Sequence, residues 1–140
     1  MIYGALVSKE ELLKRTKRFA LRVMKLVDAL PRTTTGRSIG GQLVRSGTSV
    51  GANYRAACRG RSKAEFTAKL GTVAEESDES CYWMELIIEG GLMPEFQVSP
   101  LLDEANELTA IFAAAAKTSR LSTQQSKRRE HSEFHARVSG

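Results

Sequence analysis

Apolar residues recur at steps of three and four along four stretches of the chain. Leu12, Thr16, Phe19, Val23, Leu26 and Leu30 make one face of a first helix. Ser8-x-x-Glu11 ahead of it is a capping-box pattern, Val7 and Leu12 are spaced to staple the entry turn, and Pro31 stops the helix. Ile39, Leu43, Ser46, Val50, Tyr54 and Ala57 give a second face inside the glycine-rich residues 36–61. Ser62-x-x-Glu65 opens a third helix, with Phe66, Leu70, Val73, Ser77, Cys81, Met84 and Ile88 on its stripe and Gly90-Gly91 as its stop. Ser99-Pro100 reads as the N-cap and first turn of a fourth, whose inner face is Leu101, Ala105, Leu108, Phe112, Ala115 and Ser119. The period fades from about Ser122, and the remaining residues read as a disordered basic tail. The pattern predicts an all-α fold: an antiparallel up-down four-helix bundle over residues 1–121, then a disordered basic C-terminal tail over 122–140.

The second helix carries Gly40, Gly41, Gly47 and Gly51. Each interior glycine costs about 1 kcal/mol relative to alanine, so close packing must compensate. Gly47 and Gly51, with Ser46, Ala52, Ala56 and Ala57, leave room for a neighbouring backbone. A membrane reading of Gly47-x-x-x-Gly51 fails, because Arg45 and Arg55 interrupt any apolar run. Asn53, a weak helix former among small residues, reads as a core amide hydrogen-bonded across helices.

Charge changes the picture more than composition does. The 140 residues suit one domain, and the formal net charge is +5. That total hides a split, since residues 1–63 carry a balance of +11, residues 64–116 carry −10 and residues 117–140 carry +4. Lys14, Arg18, Arg22 and Lys25 fall opposite the apolar face of the first helix, and Arg37, Arg45, Arg55 and Arg59 fall opposite that of the second. Outward cations of this kind neutralise phosphates, or else meet the acids of the third helix in another subunit. No opening stretch joins a basic start to a long apolar core, so neither a signal peptide nor a membrane span is expected, and the expected location is cytoplasmic. Cys58 and Cys81 lie in helices without Cys-x-x-Cys spacing and read as buried free thiols.

The central stretch also has a relative. Gln42-Leu-Val-Arg-Ser-Gly-Thr-Ser-Val-Gly-Ala-Asn-Tyr-Arg-Ala-Ala57, followed by Arg61-Ser-Lys-Ala-Glu-Phe66, Lys69-Leu70 and Tyr82-Trp83-Met-Glu-Leu86, resembles a bacterial family of small four-helix-bundle proteins. Glu104-Ala-Asn-Glu-Leu-Thr-Ala-Ile-Phe112 fits it too. Members include proteins encoded within intervening sequences of large-subunit rRNA genes, and the accessory protein of diversity-generating retroelements is similar. The resemblance spans roughly residues 9–121 and leaves the tail unsupported. It implies a four-helix bundle, a ring-shaped homo-oligomer (typically a pentamer), no established enzyme activity, and nucleic-acid binding as the usual proposed role.

Catalytic, metal and cofactor chemistry find no support in the motifs. His131 and His135 stand four apart without the acid of a His-Glu-x-x-His zinc motif. Glu75-Glu76-Ser-Asp-Glu79 resembles half of the carboxylate set of all-α nucleotide pyrophosphohydrolases, but the later Glu-x-x-Asp is missing. The glycines lie within a helix, so they form no phosphate loop. The candidate site is therefore a set of cations for nucleic-acid phosphates: Arg18, Arg22, Arg55 and Arg59, with Lys127, Arg128 and Arg129 of the tail. Tyr82 and Trp83 lie off the core stripe and are the candidate oligomer interface. The expected function is that of a non-enzymatic, oligomeric nucleic-acid-binding accessory protein, with RNA ahead of DNA and a partner enzyme in prospect. The alternative is a purely protein-binding, self-assembling scaffold.

Overall fold

A computed structural model describes residues 7–140, so the first six residues of the expected 1–121 domain lie outside the described residues. Four helices follow one another: α1 (Lys9–Asp28), α2 (Thr34–Cys58), α3 (Lys63–Glu89) and α4 (Glu95–Ser139). Each packs against its neighbours in cyclic order, with α4 closing back on α1 along the least extensive seam. This is the up-down bundle that short links between amphipathic helices dictate.

The sequence signals act where they were read. The Ser8 hydroxyl accepts from the Glu11 N–H at 3.1 Å, and the Ser62 hydroxyl accepts from the Glu65 N–H at 3.1 Å. Glu65 in turn accepts from the Arg61 N–H, one residue earlier than the ideal box. At the end of α3 the Leu92 N–H reaches the Ile87 carbonyl and the Gly91 N–H that of Ile88. Gly91 has φ +68°, the left-handed turn this motif requires of glycine.

Two expectations at α4 are corrected. The helix starts at Glu95 with Pro94 as its cap residue, five residues ahead of the expected Pro100 start, and Pro100 lies inside it. Val98 is fully buried, so burial of that first turn offsets the one hydrogen bond that Pro100 cannot donate. At the other end, the expected disordered tail continues α4 to Ser139. Nucleation is the costly step in helix formation, and the bundled half of α4 has already met it. No glycine or proline interrupts residues 101–139, and Glu133 stands four residues before Arg137 in the favourable order. The extension past Ser122 makes a rod of about 25 Å at 1.5 Å per residue, with Phe134 and Val138 exposed along it.

Every predicted face residue turns inward, although Ile39, Phe66, Ile88 and Ala115 are only half-buried. The core also takes in Ile87, Val98, Ile111 and Ala116 from flanking positions. Tyr54 and Phe112 meet across it with ring centroids 5.1 Å apart. Buried hydroxyls are satisfied locally: Thr16 donates to the Leu12 carbonyl at 2.8 Å and Ser77 to that of Val73 at 2.8 Å. The Ser80 and Ser46 hydroxyls, 3.0 Å apart, join α3 to α2. Asn53 bonds within its own helix, to the Ser49 carbonyl at 2.9 Å, and not across helices.

The glycines of α2 divide sharply. A Cβ on Gly47 would lie 2.8 Å from both methyls of Val23, and one on Gly51 would lie 3.3 Å from the Thr16 carbonyl oxygen. Here α1 and α2 touch nearly backbone to backbone. Gly41, by contrast, has open space around it. Gly47→Leu is therefore expected to destabilise the fold by about 1–3 kcal/mol through overpacking. Gly41→Ala is expected to stabilise it by up to about 1 kcal/mol through helix propensity. Chemical denaturation of both variants checks the pair, and equal midpoints for the two would refute the packing assigned to Gly47.

Candidate nucleic-acid interface

The close contact of α1 with α2 shapes the surface above it. Small residues on α2 cannot fill the outer valley between the two helices, and a groove of about 540 Å³ remains. Its floor is apolar or small, formed by Leu13 and Ala20 of α1 and Gly51 and Ala52 of α2. Among the described residues its rim carries five cations, Lys9, Lys14, Lys17, Arg55 and Arg59, and no carboxylate lines it. Thr16, Thr48 and Cys58 complete the lining, but both threonine hydroxyls already donate to carbonyls of their own helices.

This geometry splits the predicted cations. Arg55 and Arg59 share the groove, while Arg22 lies on the other flank of α1, beside Lys25 in a smaller depression of about 280 Å³ against the start of α4. Arg18 is exposed and lines neither. Lys127, Arg128 and Arg129 are exposed on the α4 extension. That rod leaves the bundle at the end where α2 finishes and α3 begins, because the Lys63 ammonium of α3 bonds the Ser122 hydroxyl of α4. Arg55, Arg59 and Lys9 belong to this same end by topology.

Lys9, Lys14 and Lys17 were not among the residues singled out for the site. At 100° per residue, Lys14 and Lys17 fall on the α2 side of α1 and Arg22 on the α4 side. Periodicity places these three outside the core, yet only the α1–α2 register assigns each to a flank; Lys9 falls on the apolar side and is exposed at the open first turn of α1.

Other arginines are engaged within the chain. Arg15 makes a two-point contact with Glu104, at 2.6 and 3.1 Å, and a further one with Glu107 at 3.3 Å, tying α1 to α4. The Glu104 hydrogen bond raises the pKa of that guanidinium above its ordinary value, against the opposing effect of partial burial. Arg45 binds Glu76 at 3.3 Å and also Glu79, across α2 and α3. Among the described residues, Arg18, Arg22, Arg55 and Arg59 make no ion pair.

Trp83 is half-buried, and its indole N–H donates to Glu79 at 2.9 Å, which places it in the Arg45 cluster. Tyr82 stacks edge-on against it at 5.1 Å and is exposed. Of the acidic run on α3, Glu76 and Glu79 are held by Arg45 and Glu75 is exposed. Among the described residues no three His, Cys, Asp or Glu side chains gather to hold a metal ion, and no helix is long and apolar enough to cross a membrane.

Comparison with known proteins places this geometry. The family described as 23S rRNA-intervening sequence protein matches the chain over residues 8–114. The chain belongs to that family. Its match ends before the α4 extension begins, so the rod lies outside the shared region. Within that family context, a solved structure with a similar fold is a protein of unknown function from the S23 ribosomal protein family of Bacteroides thetaiotaomicron VPI-5482. It superposes with a TM-score of 0.72 at 28% identity, over 78% of this chain and 97% of that one. A comparison with curated proteins finds no match.

The thiols give the groove a reporter. Cys58 is half-buried on its lining, whereas Cys81 is buried, donates toward Asn106 at 3.4 Å, and has its pKa pushed up by burial. Since the thiolate is the reactive form, a small alkylating reagent at neutral pH is expected to modify Cys58 in the native protein and Cys81 only after unfolding. Peptide mapping by mass spectrometry checks this. Modification of Cys81 at the faster rate would contradict the burial described.

Proposed function

We propose that the protein is a non-enzymatic nucleic-acid-binding accessory protein that holds phosphate backbones in the α1–α2 groove. The supporting observation is the concentration of five cations, with no carboxylate, around the groove among the described residues. Fixed positive charge in that arrangement neutralises phosphates and releases their counterions. Lys127, Arg128 and Arg129 extend the positive surface from the same end of the bundle along the α4 rod. RNA is the favoured ligand because the family takes its name from an rRNA intervening sequence. Service to an RNA-handling enzyme and a cytoplasmic setting follow from the same reading.

We further propose a homo-oligomer, a pentamer by the family resemblance. Glu75, Asp78, Glu85 and Glu89 are exposed along the outer side of α3 with Tyr82 among them. This acidic face is free to meet a basic face of another copy, and an assembly made only in that way is the scaffold reading.

Salt separates the two. Binding through phosphates is expected to weaken with a log–log slope of about −0.7 to −0.9 per contact. The double variant Arg55→Gln/Arg59→Gln is expected to lower the magnitude of that slope by about 1.4–1.8 and to weaken different sequences alike. The measurement is a salt series of anisotropy titrations on protein whose mass matches the wild-type assembly by light scattering. Unchanged affinity and slope in a correctly assembled variant would remove these arginines from the site. No binding by the wild type at low salt would favour the scaffold.

A further inference from the structure

The groove is more than a charged face. Between its cations lies apolar, partly covered surface from Leu13, Ala20, Gly51 and Ala52, in a volume of about 540 Å³, well within the roughly 300–1,000 Å³ of small-ligand sites. A duplex backbone presents phosphates and sugars outward and keeps its bases stacked inside. It would answer the cations and leave the floor wet. An unpaired nucleotide carries both chemistries, since its base has two apolar faces and its phosphates lie one linkage away on either side.

We propose that the α1–α2 groove is a site for a single unpaired nucleotide, its base lying on the apolar floor and its flanking phosphates held by the rim cations. This rests on the phosphate-binding reading of the same groove and adds the strandedness of the ligand. It also fixes what the site does not read. Specificity for a base requires donors and acceptors aimed at its edges. The Thr16 and Thr48 hydroxyls, the neutral polar groups of the lining apart from the Cys58 thiol, donate at 2.8 and 2.7 Å to the Leu12 and Val44 carbonyls. With their protons committed, these hydroxyls keep only lone pairs to offer, so the floor meets bases chiefly by their faces.

Ala52 allows a clean test because it is exposed, so Ala52→Leu fills the groove without entering the core. The probes are ten-nucleotide oligo-U and oligo-C, an RNA duplex of the same length, and ribose 5-phosphate beside uridine 5′-monophosphate. Anisotropy at matched salt gives affinity, and the alkylation rate of Cys58 reports occupancy of the groove.

The expected result is that single strands bind roughly tenfold tighter than duplex, a factor that burial of part of one base face supplies. Oligo-U and oligo-C should agree within about threefold, since faces and not edges are read. The nucleotide should protect Cys58 at lower concentration than the sugar phosphate does. Ala52→Leu should weaken single-strand binding more than duplex binding, so that the single-strand preference is erased. Equal binding of strand and duplex, with no effect of Ala52→Leu, overturns the base site and leaves the phosphate reading standing. Absence of binding to any probe at low salt overturns both. Cys58 protection that arises from self-association alone and vanishes on dilution also overturns the proposal, because a second copy then fills the groove.

Discussion

Helix α2 meets α1 through missing side chains. Gly47 receives the methyls of Val23, and Gly51 faces the backbone of Thr16, so the two axes come closer than leucine-sized residues would allow. The cost is the weak helix propensity of glycine, about 1 kcal/mol at each position. It is offset by burial of Val23, Leu43 and Val50, all at 0% exposure. The outer surface follows from the same contact. A helix with small residues on its flank leaves a valley above the contact, and long cationic side chains, with apolar stems that can lie along it, border that valley.

The distribution of charge complements this packing. Arg15 with Glu104 clamps the α1–α4 seam, where helix contact is least extensive, and Arg45 with Glu76 and Glu79 braces α2 against α3. These pairs use acids of the third and fourth helices on seams. The groove lies on the α1–α2 side, between the two helices poorest in acids, which is why no carboxylate among the described residues lines it. A chain with a net charge of only +5 thus presents a locally much stronger positive field.

Much of the fold was legible in the sequence, because the three–four spacing of Leu12 to Leu30 or of Leu70 to Met84 has one physical solution. Caps at Ser8, Ser62 and Gly90-Gly91 were legible for the same reason: each is a local hydrogen-bonding device. The start of α4 was not, because Ser99-Pro100 is a strong local signal that burial of Val98 overrides. The helical rod was hidden as well, since its residues lack a core face and owe their conformation to continuity with the bundle. The outward placement of Arg55 and Arg59 was legible from their spacing. That Lys9, Lys14 and Lys17 border the same valley was not legible, because register between helices, set by Gly51 on Thr16, decides which cations share it.

The central claim is that this valley is the ligand surface. Backbone amide chemical-shift mapping during titration with a short single-stranded RNA at low salt tests it directly. The account predicts that the largest shifts fall in residues 9–20 of α1 and 48–59 of α2, with smaller ones at 127–129 of the α4 rod. Shifts confined to the outer side of α3, or to the rod with the groove unchanged, would contradict it.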